Sequence, residues 1–237
     1  MALVARNADA LAELAAELEG TAHPADLTDP ATVDGLIGRL EAEIGPIDVL
    51  VNNAGIDLAG HVRDHGAAEL EKIFRLNLLT PAELCRQALG PMIDRGDGHI
   101  VNISSMAGVA AFPGLAAYSS TKAGLTQFTA GLRADLRGMP VRTTVVELGP
   151  VPTDMLAHVD DYRPTRDSFR RLGRLQLLPD TSREIVAEAV VTAVQRDRRH
   201  VRLPKRSAGF AMLTEAPRRT VELLLAGVRH QERRTAS

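Results

Sequence analysis

Tyr118 and Lys122 stand four residues apart in the stretch AYSSTKAGL. On a helix, that spacing stacks two side chains a turn apart on one face. A phenol has an ordinary pKa of about 10 and keeps its proton at neutral pH. A cation held beside it favours the phenolate, so the pair can move a proton to or from a substrate oxygen. Taken alone, the spacing could be coincidence. Ser105 precedes Tyr118 by thirteen residues, at the end of the apolar run GHIVNISS, where its hydroxyl could hydrogen-bond the same oxygen. NNAG ends another apolar run, and Asn77 sits within the helical pattern FRLNLL, where asparagine is a mediocre former. Polar residues in such places need partners, and each taken singly is more often structural than chemical. Their joint occurrence, in this order, argues for a site.

The elements that must position these residues alternate between strand and helix. Leu3–Ala5 reads as a short buried strand, and Asn7 as the cap of a helix ending near Gly20. TAHPADLTD is extended, and Asp29-Pro30 opens a helix to about Glu43. IDVLVNNAG, GHIVNISS and VRTTVVELG read as strands, with helical patterns over Ala67–Ile93 and from AAYSSTK to ADLR. The strands are continuous apolar runs, as in a parallel sheet covered on both faces, so an α/β fold is expected. A loop from about 150 to 180 follows the end of a strand, where such sheets place ligands. In it Met155, His158 and Tyr162 suggest a partly apolar substrate pocket. A helix over Ser182–Gln195, a strand HVRLP and a last helix near Pro217–Val228 complete a single domain over 1–237.

Hydrophobic residues make up 45% of the 237 and charged ones 24%, an ordinary globular composition. The net charge of −2 divides unevenly: residues 195–237 carry 11 Lys or Arg against 4 Asp or Glu. That basic segment includes PRRTVELLLAGVRH, an amphipathic stretch that could lie on an anionic membrane surface or pack against protein. It carries a single aromatic, Phe210, not aromatics interleaved with the basic residues, so no nucleic-acid partner is expected. The one cysteine, Cys85, leaves no internal disulfide and fits a reducing cytoplasm. No apolar run approaches the roughly 20 residues of a membrane span. The seven histidines are scattered, there is no CxxC or HExxH, and no metal site is expected.

The motifs DL of ADLTD, NNAG, the asparagine of FRLNLL, the serine of NISS, YSSTK and the GPVPT turn together resemble the short-chain dehydrogenase/reductase family. The resemblance runs from Ala2 to about Met155. It implies a Rossmann-like doubly wound parallel sheet, a nicotinamide cofactor, and interconversion of a carbonyl and an alcohol. In that reading Tyr118 is the general acid/base. Lys122 lowers its pKa and binds the nicotinamide ribose, and Ser105 orients the substrate oxygen. Asn77 holds a water linking Lys122 to solvent. Asn53, Ala54 and Gly55 line the adenosine ribose side, Asp26 and Leu27 flank the adenine, and Val151 and Thr153 contact the nicotinamide end. A small-molecule substrate and a homo-oligomer built through the Tyr118 helix are implied as well.

Cofactor choice turns on the end of the first strand read here. Where NAD enzymes of this fold carry an acidic residue, the chain has Ala5 followed by Arg6, suited to a 2′-phosphate. NADP(H) is therefore favoured over NAD(H), unless Arg6 is only a surface residue. Three departures from the family stand out. Leu148 replaces the usual proline before Gly149, HVRLPKR replaces a DGG ending, and none of the 19 glycines forms GxxxGxG or GxGxxG. The expected fold thus lacks the first strand, the phosphate-cradling glycine loop and the first helix. Two strand edges should lie unpaired around the missing strand. Either the working protein carries these elements ahead of Met1, or the chain is a truncated, non-catalytic homologue with impaired cofactor binding.

Overall fold

The computed structural model describes residues 1–110, 112–153 and 162–209. Among these residues six strands run β1 Ala2–Ala5, β2 Thr21–Pro24, β3 Val49–Asn52, β4 Gly98–Ser105, β5 Val141–Leu148 and β6 His200–Leu203. Every strand pair is parallel, but the strands form two sheets, β1-β2 and β3-β4-β5-β6. Among the described residues no strand pairs with the free edges of β1 and β3, which lie in separate sheets as expected from the sequence. Val49 and Val51 of β3 are accordingly 39% and 47% exposed, unusual for apolar residues of a parallel strand.

Among the described residues eight α-helices accompany the strands: α1 Ala8–Glu17, α2 Pro30–Val33, α3 Leu36–Ile44, α4 Ala67–Phe74, α5 Thr80–Arg95, α6 Ala116–Asp135, α7 Arg163–Arg174 and α8 Arg183–Gln195. Asn7 caps α1, its Oδ1 accepting from the Ala10 N–H at 3.2 Å. The helix expected from Pro30 to Glu43 is broken into α2 and α3. Gly35 takes the left-handed conformation, φ +64°, and Arg39 braces the break by donating to the carbonyls of Thr32 and Asp34. The expected loop over 150–180 also holds a helix, α7, whose arginine-rich sequence masked its periodicity. Met155, His158 and the segment PRRTVELLLAGVRH lie outside the described residues.

Successive residues of β4 point to opposite faces and serve two cores. Ile100 packs with Leu36, Ile37 and Leu40 of α3, Cys85 and Met92 of α5, and Leu132 of α6. Ala2, Val4 and Leu50 pack against the same cluster, so β1 and β3 share a core although they share no hydrogen bonds. Val101 belongs to the other face, with Val146, Val201 and Ala193 of α8. Each such buried side chain contributes about 1.5–3 kcal/mol, enough to hold the ends of β4 and β5 in fixed register. Beyond β5, the Gly149 N–H donates to the Leu203 carbonyl at 2.6 Å, and a Cβ there would meet Pro204 Cδ at 2.7 Å. The glycine, rather than a proline before it, is what this turn requires.

Candidate active site

Ser105 is the last residue of β4, and its hydroxyl accepts the Ala107 N–H at 3.1 Å and donates to the Leu148 carbonyl at 3.2 Å. Those bonds fix the oxygen between the ends of β4 and β5. Tyr118 and Lys122 come from the first turns of α6, which packs across β4. All three side chains line one cavity of about 780 Å³ at the C-terminal ends of β3, β4 and β5. Asn53, Ala54 and Gly55 from the end of β3 line it too, as do Val151 and Thr153 beyond β5. Seven of the residues singled out from sequence thus share the cavity with Ser105.

Lys122 is 5% exposed, and its ammonium donates to the Ile103 carbonyl at 2.9 Å. Burial pulls its pKa down to about 8. The ammonium lies 5.9 Å from the centroid of the Tyr118 ring. Sequence reasoning expects this cation to lower the phenol's pKa. The net direction is upward: burial raises it, a hydrogen bond with Ser105 pulls it back, and the charge of Asp57 raises it further. Desolvation of the phenolate outweighs the stabilisation available here, so Tyr118 is a phenol at neutral pH.

Asn77 lies in a single π-helical turn, Arg75–Leu79, between α4 and α5. Such turns frequently mark functional sites because the extra residue redirects a side chain inward. Its Oδ1 accepts the Ile56 N–H at 2.9 Å, and its Nδ2 donates to the Ile56 carbonyl at 2.8 Å and to Thr121 Oγ1 at 3.2 Å. The side chain is therefore committed to the peptide after NNAG and to α6. It clamps the two segments that carry the site.

The cavity also suits half of a dinucleotide. A Cβ on Gly55 would lie 3.2 Å from Asn77 Oδ1 and 3.5 Å from Lys122 Nζ, so glycine lets the loop approach the ammonium closely. Lys122 uses one N–H on Ile103 and keeps two, the number a vicinal ribose diol takes. Arg6, Asp26 and Leu27 lie at the ends of β1 and β2, outside this cavity. Arg6 is exposed. Asp26 accepts from the Thr28 N–H and hydroxyl, which hold its carboxyl below the usual range, with smaller help from Arg6 and Lys72. Leu27 packs into the core and presents only backbone, its carbonyl accepting from Thr80 Oγ1 at 2.8 Å. The residues present thus fit the nicotinamide riboside, while no glycine-rich turn is present to cradle a diphosphate.

Several lining residues carry no signal in the sequence. Asp57, Met106, Phe112, Leu115, Phe169 and Leu178 belong to no motif, and only the folded chain brings them to Ser105 and Tyr118. Tyr162, expected in the pocket, instead caps the start of α7 and packs against Gly114. Among the described residues no group of His, Cys, Asp or Glu is arranged to hold a metal, and no helix is long and apolar enough to cross a membrane.

The ketoacyl reductase HetN of Nostoc sp. strain PCC 7120 is 36% identical to this chain over 172 residues, which are 73% of the chain and 56% of that protein. The chain therefore spans little more than half the length of this curated relative. Serine dehydrogenase in its closed form, complexed with NADP+, superposes with a TM-score of 0.71 at 29% identity, over 85% of this chain and 83% of that one. A short chain dehydrogenase/reductase of Burkholderia phymatum in complex with NAD gives a TM-score of 0.76 over 94% of this chain and 85% of that one, and at 21% identity shares the fold alone. The model of the short chain dehydrogenase family matches residues 1–163, a span that holds β1 to β5 and every residue of the Ser105–Tyr118–Lys122 cluster, and the chain belongs to that family.

Proposed function

We propose that this chain is the catalytic part of an NADP(H)-dependent oxidoreductase that interconverts a small-molecule carbonyl and its alcohol. The observation that carries the reading is the convergence of Ser105, Tyr118 and Lys122 on one cavity at the strand ends. The bound dinucleotide supplies or accepts the hydride. In the reducing direction Tyr118, a phenol at neutral pH, donates its proton to the carbonyl oxygen. The Ser105 hydroxyl proton, held on the Leu148 carbonyl, is the one available to the same oxygen. Lys122 supports the phenolate as it forms and keeps two N–H donors for the nicotinamide ribose. Asn77 is a positioning residue, holding the Ile56 peptide against α6.

Arg6 supports NADP over NAD, because a guanidinium at the end of β1 pairs with a 2′-phosphate where an acid would take a free diol. Asp26 flanks the adenine. The same reading gives one domain, a cytoplasmic setting in keeping with the single buried Cys85, and self-association through α6. Fluorescence titration with NADPH and NADH, followed by ketone reduction with each, tests it. Tighter binding of NADPH and turnover are expected. No binding of either at saturating cofactor would favour the second reading, a non-catalytic homologue, which the lack of a glycine-rich turn supports.

A further inference from the structure

The walls of the cavity differ from end to end. Towards β3 they are Val51 with Val190 and Val191 of α8. Beyond Ser105 and Tyr118 they are Met106, Phe112, Leu115, Phe169 and Leu178. Phe112 precedes α6 and Phe169 lies on α7, and their rings stack with centroids 5.0 Å apart and planes 25° from parallel.

This aromatic pair is held from two sides. The buried Thr165 hydroxyl of α7 donates to the Pro113 carbonyl at 2.6 Å. Next to it Gly114 adopts φ +81°, and a Cβ there would lie 2.3 Å from Tyr162 Cδ1, so the segment fits flush against the start of α7. Thr165, Phe169 and Leu172 follow the i, i+4, i+7 spacing of one helical stripe, whereas Arg163, Arg170 and Arg174 are exposed. Of that stripe Phe169 lines the cavity while Thr165 is buried against Pro113, so the stacked rings form a fixed part of the cavity wall.

We propose that Phe112 and Phe169 are specificity-determining residues that select carbonyl substrates bearing an aryl or fused-ring group beside the reacting carbon. This rests on the oxidoreductase reading above and names the substrate class for it. A third ring laid against a stacked pair gains edge or face contacts that an alkyl chain of similar reach does not. Among the described residues, the charged side chains lining the cavity are Asp57, Lys122 and Arg183. Lys122 bonds the Ile103 carbonyl and Arg183 the Pro152 carbonyl, at 2.9 and 3.1 Å. The competing explanation is that the pair merely staples α7 to the segment before α6. A staple affects stability and treats all substrates alike.

The test measures binding and turnover separately. Binding of 2-acetonaphthone, acetophenone and butanone to the full chain is followed by saturation-transfer NMR without cofactor. Turnover of each with NADPH is then measured for wild type, F112A, F169A and the conservative F169L. The expected affinity order is naphthyl, phenyl, ethyl. Both alanine variants should lose about tenfold for the aryl ketones with butanone unchanged. F169L, which keeps volume but no ring, should remain folded and lose an intermediate amount. Aryl binding unaltered in F169L and F169A, or an equal loss for butanone, overturns the proposal. Aryl-selective binding without turnover of any ketone would retain the aromatic wall and overturn the oxidoreductase reading instead.

Discussion

Replacing Asn77 by alanine removes three hydrogen bonds at a residue with no exposed surface. The Ile56 N–H and carbonyl both lose their partner, while Thr121 keeps its bond to the Tyr118 carbonyl at 2.7 Å. An orphaned buried polar group costs about 1–3 kcal/mol, and Ile56 is only partly buried, which favours the lower half of that range. The sum for the two peptide groups and the lost Thr121 bond is about 2–4 kcal/mol. For a chain of this length that corresponds to a fall in Tm of roughly 5–15 °C. Urea unfolding and thermal melting of wild type, N77A and N77D measure it. N77D keeps an acceptor for Ile56 but buries a carboxylate and loses both donated bonds, so it should recover no stability. Because Asn77 and Lys122 both abut Gly55, kcat should fall in either variant as the spacing relaxes. A change below about 0.5 kcal/mol in N77A would refute the clamp and return Asn77 to an ordinary helix residue.

Arg6→Asp should reverse the cofactor preference, weakening NADPH by about tenfold or more and leaving NADH equal or improved, as read by fluorescence titration. The buried Lys122, with its pKa lowered from 10.5 to about 8, binds fewer protons in the folded than in the unfolded chain between those values. Wild-type stability should therefore gain, relative to Lys122→Met, as pH rises from about 8 towards 10.5, and urea midpoints across that range check the sign. Asp57→Asn removes a charge that holds the proton on Tyr118 and should lower the phenol's pKa. Ultraviolet titration in a Tyr162→Phe background, where Tyr118 is the one tyrosine left, measures that shift; an unchanged titration would put Asp57 too far away to matter.

Much of this site was legible because its chemistry depends on spacing within single elements. The four-residue interval of Tyr118 and Lys122 needs only a helix, and Ser105 and NNAG needed only apolar runs that end at one edge of a parallel sheet. The unpaired edges of β1 and β3 followed from the lack of any strand and glycine turn to separate them. What the sequence concealed depends on tertiary contact. Asn77 reads as a poor helix residue, and only the π-turn shows that it reaches the Ile56 peptide. The break at Gly35 needed its φ, and α7 was hidden because five arginines swamp a stripe of Thr165, Phe169 and Leu172. The direction of the Tyr118 shift is hidden for the same reason. A nearby cation is visible in a motif, but the desolvation that raises the phenol's pKa is a property of the whole cavity.

The central claim is that Tyr118 transfers the proton in a carbonyl–alcohol interconversion, and Tyr118→Phe tests it most directly. The substitution removes one hydroxyl and leaves the ring and the Lys122 contact with the Ile103 carbonyl in place. NADPH oxidation by an aryl ketone should fall by about 10²–10⁴-fold in kcat, with the NADPH dissociation constant changed little. Turnover by Tyr118→Phe within a few-fold of the wild-type rate would contradict the claim.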